Sequence, residues 1–244
     1  MIPAHAPVTI PGMSPSPSLR DLSAPQAILF DLDGTLVDTV HLRIDAWTEA
    51  LRRHGVPADR DRLAGFIGSD GRRLAREMSR EAGREFDEAE AQVVDDLSGA
   101  IFDELNAAPV PLPGASELLS ALELSHLTFA IATSSLPGQV MASVRSLALP
   151  AEPPIVDGSH VAHAKPAPDL LLAAAAQLGV TPEGCWYVGD STWDMIASAA
   201  AGMTGIGVTT GAVDADALAA AGASVTIESL AVLLAELRRR GLPT

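Results

Sequence analysis

The stretch Ala27–Thr39, AILFDLDGTLVDT, runs an apolar segment straight into Asp31 and Asp33, one residue apart, and then Gly34. An unpaired carboxylate is costly to bury, so a pair of them at the end of an apolar run needs a task. Other apolar runs end the same way. Thr133 and Ser134 close LTFAIATSS, Asp190 closes CWYVGD and Asp194 follows it closely, while Lys165 leads PAPD in a proline-rich connection. Carboxylates brought together need a countercharge, and hard oxygen ligands without cysteine or histidine favour Mg²⁺ over zinc. Each residue also has a bland reading. Asp31 could cap a strand end, the Thr133 hydroxyl could satisfy one, and Lys165 could be a solvated surface charge. The recurrence of the pattern along the chain weighs against all three.

For these groups to meet, the runs that carry them must be strands of one sheet, because doubly wound sheets gather ligands beyond the carboxyl ends of their strands. Strands are expected at Gln26 to Asp31, at Leu127 to Ser135, and in CWYVGDS, TGIGVTTG and SVTI, with helical stretches between them. That alternation predicts an α/β fold with a doubly wound parallel sheet. From Val37 to about Pro109 the habit is helical instead: Ile44, Trp47 and Leu51 fall at helical spacing, Gly55 offers a stop, and GRRLAREMSREAG and AEAQVVDDLSGAIFDELNAA repeat the pattern. The expected division is a Rossmann-like core over residues 25–38 and 113–240, an inserted α-helical cap over 39–112, and a disordered proline-rich tail over 1–24, with Met13 as an alternative start.

Composition narrows the function classes. The chain has 244 residues, 48% of them hydrophobic, and a formal net charge of -15. Such acidity argues against nucleic acid and against an anionic membrane surface as partners, and an anionic substrate must be drawn in by a metal or by a few placed cations. The single cysteine, Cys185, lies in an apolar run and reads as an inert core thiol. No run approaches the roughly 20 apolar residues of a membrane span, and the N-terminal segment lacks the basic and apolar regions of a secretory signal. The default is a cytoplasmic monomer. His41, His160 and His163 have no metal-site spacing and read as surface or hinge residues.

DLDGTLVD, ATSS, KPAPD and GDSTWD, in that order and with roughly 100 residues between the first two, resemble the four motifs of the haloacid dehalogenase superfamily. The resemblance covers residues 26–235 and points to the subgroup of phosphoglycolate phosphatases and β-phosphoglucomutases with a small helical cap. It implies that Asp31 is a nucleophile forming an aspartyl-phosphate, and that Asp33 is the acid for the leaving oxygen and then the base for water. It implies Mg²⁺ held by the Asp31 carboxylate, the Asp33 backbone carbonyl and Asp190, with Asp194 orienting that shell. Thr133, the Ser134 N–H and Lys165 would grip the phosphoryl oxygens, and Gly34 would let backbone approach the phosphate. Dehalogenases and phosphonatases of the family lack the second acid, so Asp33 points to phosphate esters.

Substrate identity is read by the cap, where the chain says least. FIGSDGRRL resembles the closing loop, with Gly68 and Gly71 to let it bend and Arg72 or Arg73 to contact an anionic leaving group; the alternative is two arginines on an exposed helix. Trp47 reads as cap core, and Trp193 as packing beneath the metal loop. Asp38 is expected to cap the first cap helix. Arg43 stands where mutase-like relatives carry a histidine that links cap closure to the acid/base aspartate, and their phosphate-holding arginine has no clear equivalent in GSDGRRL. Both departures weigh against a mutase. The reading is a Mg²⁺-dependent phosphatase of a small phosphorylated metabolite, a sugar phosphate or a phosphoglycolate-like acid. The alternatives are a phosphosugar mutase and a non-catalytic regulatory module on the same fold.

Overall fold

The structure, a computed structural model, describes residues 17–243. Its centre is a six-stranded parallel sheet: β1 (Ala27–Phe30), β2 (Thr128–Ala132), β3 (Ile155–Val156), β4 (Cys185–Gly189), β5 (Thr204–Val208) and β6 (Val225–Ile227), in the order β3-β2-β1-β4-β5-β6. β1 is buried along its whole length, as expected of a central strand covered on both faces. Its side chains alternate between two cores. Ile28 and Phe30 face a core completed by α5 (Ala115–Glu123), α6 (Pro137–Ser146) and α10 (Leu230–Arg239). Ala27 and Leu29, with Tyr187 of β4, face α7 (Asp169–Leu178) and α8 (Thr192–Ala201). A short helix, α9 (Ala215–Ala220), packs beside β5 and β6.

Register decides where the polar strand ends emerge. Phe30 lies level with Ile131 of β2 and Val188 of β4. Asp31, Thr133 and Asp190 therefore leave three adjacent strands at one edge of the sheet. The connection from β1 to the adjacent β2 carries a helical excursion.

That excursion holds α1 (Val40–Arg53), α2 (Arg60–Ala64), α3 (Gly71–Glu81) and α4 (Glu88–Leu105). These helices share an apolar cluster of their own, around Trp47, Leu51, Leu63, Phe66, Leu74, Met78 and Val94. Asp87 opens α4 with a capping box to Glu90, and Asp70 caps α3 through the Arg73 N–H. No helix among the described residues is long and apolar enough to cross a membrane.

Several local expectations differ from what the fold contains. β3 is two residues long and lies in the connection around Pro153 and Pro154, which reads from sequence as loop; so short a strand leaves no periodicity to detect. α2 is missed for the same reason. The N-terminal tail lies mostly outside the described residues, Met13 included, but its last part is ordered against the core. Leu19 is buried in a short 3-10 turn, and Arg240 donates to the carbonyls of Leu19 and Leu22. Arg240 also lies over the Trp186 ring and binds Glu236. Asp38 is exposed beside His41, and the residue at the N-cap of α1 is Thr39, whose hydroxyl turns to Asp33 instead of capping the helix.

Candidate active site

Asp31 is nearly fully buried at the end of β1. Its stability there rests on Lys165, wholly enclosed, whose Nζ donates to Asp31 Oδ1 at 2.6 Å and to Asp194 Oδ1 at 2.7 Å. Tyr187, projecting from β4, donates from its hydroxyl to the same Asp194 oxygen at 2.9 Å. The other Asp194 oxygen accepts from the Ser191 N–H and hydroxyl, because Ser191 and Asp194 form the capping box of α8. Helix capping and active-site geometry are thus one arrangement.

Burial pushes the Asp31 carboxyl up, to about 7, with Asp194 and Asp33 adding to the rise and Lys165 pulling against it. Lys165 is held protonated by its two aspartates despite its burial. Asp190 is pushed well above the carboxylate range by burial and by Asp194 and Asp31, relieved only in part by a 2.9 Å hydrogen bond from the Thr35 hydroxyl. Asp31, Asp190 and Asp194 each offer an oxygen within 4.8 Å of the others. With Lys165 committed to Asp31 and Asp194, the set carries more negative charge than it has cation, and all donors are hard oxygens. The residues fit a divalent cation of the Mg²⁺ type.

Gly34 also packs against this cluster. It has φ +83°, and a side chain on it would collide with the Asp190 carboxylate, so the left-handed turn and the missing Cβ make room for that acid.

Asp33 points elsewhere. Its Oδ1 accepts from Thr39 at 2.7 Å, and its Oδ2 accepts from Ser135 at 2.6 Å and from Arg43 at 2.8 Å. Burial would raise its pKa, but the Arg43 charge and the hydrogen bonds from Ser135, Thr39 and Arg43 outweigh that and hold it below the usual value. Arg43 reaches over from α1, stacks on Phe102 of α4, and also donates to Ser135 and to Gln139 of α6.

Asp31, Asp33, Thr133, Ser134 and Lys165 line one cavity of about 280 Å³ between the sheet edge and the helical excursion. Trp47, Arg72, Gln92 and Asp95 line its other side. Arg72 is paired with Asp70 at 3.2 Å and Glu88 at 3.3 Å. Arg73 is not among the lining residues; its guanidinium lies over Trp193. Trp193 stacks on Phe66 and donates to the Gly65 carbonyl, so it joins the metal-side loop to the helices rather than lying beneath that loop. Trp47 is buried in the helical cluster, as its spacing predicts, and also shows an edge to the cavity.

Among the residues of the site that escape a sequence reading are Thr35, Ser135, Tyr187 and Asp95. Ser135 sits inside the quoted ATSS, and Thr35 inside DGT, so a signal existed for both. Tyr187 is one apolar-looking position of a strand. Asp95 shares a helical face with Gln92 and Gly99, a pattern visible only once that face is known to meet a site.

Residues 28–208 match the sequence profile of the haloacid dehalogenase-like hydrolases. The chain is 33% identical over 195 residues to a validoxylamine A 7'-phosphate phosphatase of Streptomyces hygroscopicus subsp. limoneus, covering 79% of this chain and 89% of that one. It is 31% identical over 194 residues to the β-phosphoglucomutase of Bacillus subtilis, covering 75% and 83% respectively. The crystal structure of a hydrolase from Pseudomonas syringae superposes with a TM-score of 0.83 at 34% identity, over 87% of this chain and 98% of that chain.

Proposed function

The chain belongs to the haloacid dehalogenase-like hydrolases, and on that footing we propose that it is a cytoplasmic, Mg²⁺-dependent phosphatase that hydrolyses a small phosphorylated metabolite through an aspartyl-phosphate. The observation that carries the reading is the division of labour between two aspartates one residue apart. Asp31 is held by Lys165 beside Asp190 and Asp194, while Asp33 is held apart from them by Thr39, Ser135 and Arg43. A nucleophile and a proton carrier need those different settings.

In the proposed mechanism Asp31 attacks phosphorus along the open side of the cavity, and the bond to the ester oxygen breaks as the new one forms. Asp33, ionised in the resting site, takes up the proton of the substrate's phosphate monoanion and delivers it to that oxygen, and the alcohol leaves. Asp33, now a carboxylate, takes a proton from the water that attacks the phosphorus of the acyl phosphate, which restores Asp31 and releases phosphate. Asp31, Asp190 and the Asp33 carbonyl would hold Mg²⁺, which when bound supplies charge neutralisation for the incoming phosphoryl group. Thr133 and Ser134 line the same cavity, which supports the Thr133 hydroxyl and the Ser134 N–H as donors to phosphoryl oxygens. Lys165 fixes the Asp31 carboxylate and adds positive charge beneath it. Tyr187 and Ser191 keep Asp194 in place to hold Lys165 in turn. We read residues 39–112 as a cap that closes the cavity over its substrate and excludes water.

The test is phosphate release from a panel of phosphorylated metabolites, first with Mg²⁺ and then with EDTA. Release that needs the metal, and that disappears in Asp31→Asn, is the expected result. Isomerisation of a sugar phosphate primed by its bisphosphate would favour the mutase alternative. Metal binding with no release from any ester would favour a non-catalytic module.

A further inference from the structure

The cavity has two ends, and their charges differ. Its lining holds the cations Arg43, Arg72 and Lys165 and the carboxylates Asp31, Asp33, Asp70 and Asp95. Each cation already has an aspartate: Lys165 binds Asp31 at 2.6 Å, Arg43 binds Asp33 at 2.8 Å and Arg72 binds Asp70 at 3.2 Å. Arg72 is further engaged by Glu88. The fourth carboxylate, Asp95 of α4, receives no hydrogen bond and no ion pair from the described residues, although it is partly buried. It stands over Gly71, at the start of α3, in space that any side chain there would fill. Ser98, one turn further along α4, lines the same side.

A ligand entering this end meets an acceptor in want of a donor and no uncommitted cation. A second phosphate or a carboxylate on the leaving group would lie against Asp95, while the nearby Arg72 and Arg43 are already paired with other carboxylates. A hydroxyl or ammonium group would supply what Asp95 lacks, and a hydrogen bond to a charged group in a partly desolvated site is among the stronger kinds. We propose that Asp95 is a specificity-determining residue that selects phosphate esters of hydroxyl- or amine-bearing alcohols and turns away esters whose leaving group is itself anionic. The inference rests on the phosphatase reading, and within it decides against a phosphoglycolate-like acid and against a bisphosphate.

The experiment compares kcat/KM of the full-length protein with Mg²⁺ on p-nitrophenyl phosphate, glucose 6-phosphate, glucosamine 6-phosphate, 6-phosphogluconate and phosphoglycolate. The expected result is a preference of about tenfold or more for the first sugar pair over the two carboxylates, narrowed about tenfold in Asp95→Asn, chiefly through KM. Wild-type hydrolysis that favours the carboxylates overturns the inference while leaving the phosphatase reading intact. So does an Asp95→Asn ratio equal to wild type, which would leave Asp95 no part in the choice of substrate. No release from any ester, p-nitrophenyl phosphate included, overturns both readings. Should Asp95→Asn not fold, the wild-type ratio decides alone.

Discussion

The floor and the roof of the cavity are built on different physics. At the floor the ion pairs are sealed: the Lys165 and Asp31 side chains are 1% and 4% exposed. At the roof, Arg72 and Glu88 are 38% and 62% exposed. Exposed pairs of that kind contribute little to stability, whereas removing one partner of a buried pair strands a charge. The floor is therefore rigid and intolerant of change, and the roof can vary at small cost to folding. A catalyst that keeps its chemistry while changing its substrate needs that asymmetry.

The comparison breaks most visibly if the floor proves tolerant. Asp31→Asn, close to isosteric, should cost about 10⁴-fold or more in kcat, since a nucleophile has no deputy; near-native turnover in steady-state assays would remove Asp31 from that role. Lys165→Met leaves Asp31 and Asp194 buried without their cation, and should lower unfolding free energy by about 3–5 kcal/mol in urea titrations. An unchanged midpoint would mean that the carboxylates are neutral in the resting protein.

Arg43 joins the two regions, since it leaves α1, stacks on Phe102 and reaches Asp33, Ser135 and Gln139. Arg43→Lys keeps the charge but not the fork. It should reduce kcat about 10²-fold through misplacement of Asp33 and of the helices above it. A change in KM alone would show that Arg43 reads substrate and does not position the acid/base group.

The smallest expected effect lies at the roof. Burial, with Asp70 and Asp96, pushes the Asp95 carboxyl up to about 6, against the pull of Arg72 and Arg43. A folded-state pKa above the unfolded value of 3.8 means that ionising Asp95 lowers stability as pH rises from about 4 to about 6, and keeps it lowered above that. Asp95→Asn should then melt a few degrees higher than wild type at pH 7, and the difference should vanish towards pH 4. A variant that is more stable yet less selective is what a functional carboxylate predicts. Equal melting at both pH values would remove the strain from the account.

The same asymmetry explains what could be read from the chain alone. The floor is forced by backbone: polar groups at the ends of adjacent parallel strands have one edge to occupy, so Asp31, Thr133 and Asp190 announce themselves by following apolar runs, and Lys165 by leading PAPD. Asp194 is visible as a helix-cap partner of Ser191. The roof depends on which faces of separate helices meet: Asp95 looks like any charged residue of an amphipathic helix, and Arg43, marked only by the resemblance, shows its partners Ser135, Gln139 and Phe102 only once α1 and α4 are packed. Gly34 was legible as a special position, but its packing against Asp190, more than 150 residues away in sequence, was not. β3 and α2 are too short to carry a period. Leu19 lies among prolines and serines whose composition argues for disorder, and only its contact with the core shows otherwise.

The most direct test of the account is to trap the covalent intermediate. Protein quenched during turnover with Mg²⁺ and substrate, reduced with borohydride and digested, should yield a peptide in which Asp31 has become homoserine, as an acyl phosphate at that carboxyl would. The change should be absent with EDTA or without substrate. Steady turnover with Asp31 unmodified, or with the reduced residue elsewhere, would contradict the assignment of the floor on which the rest depends.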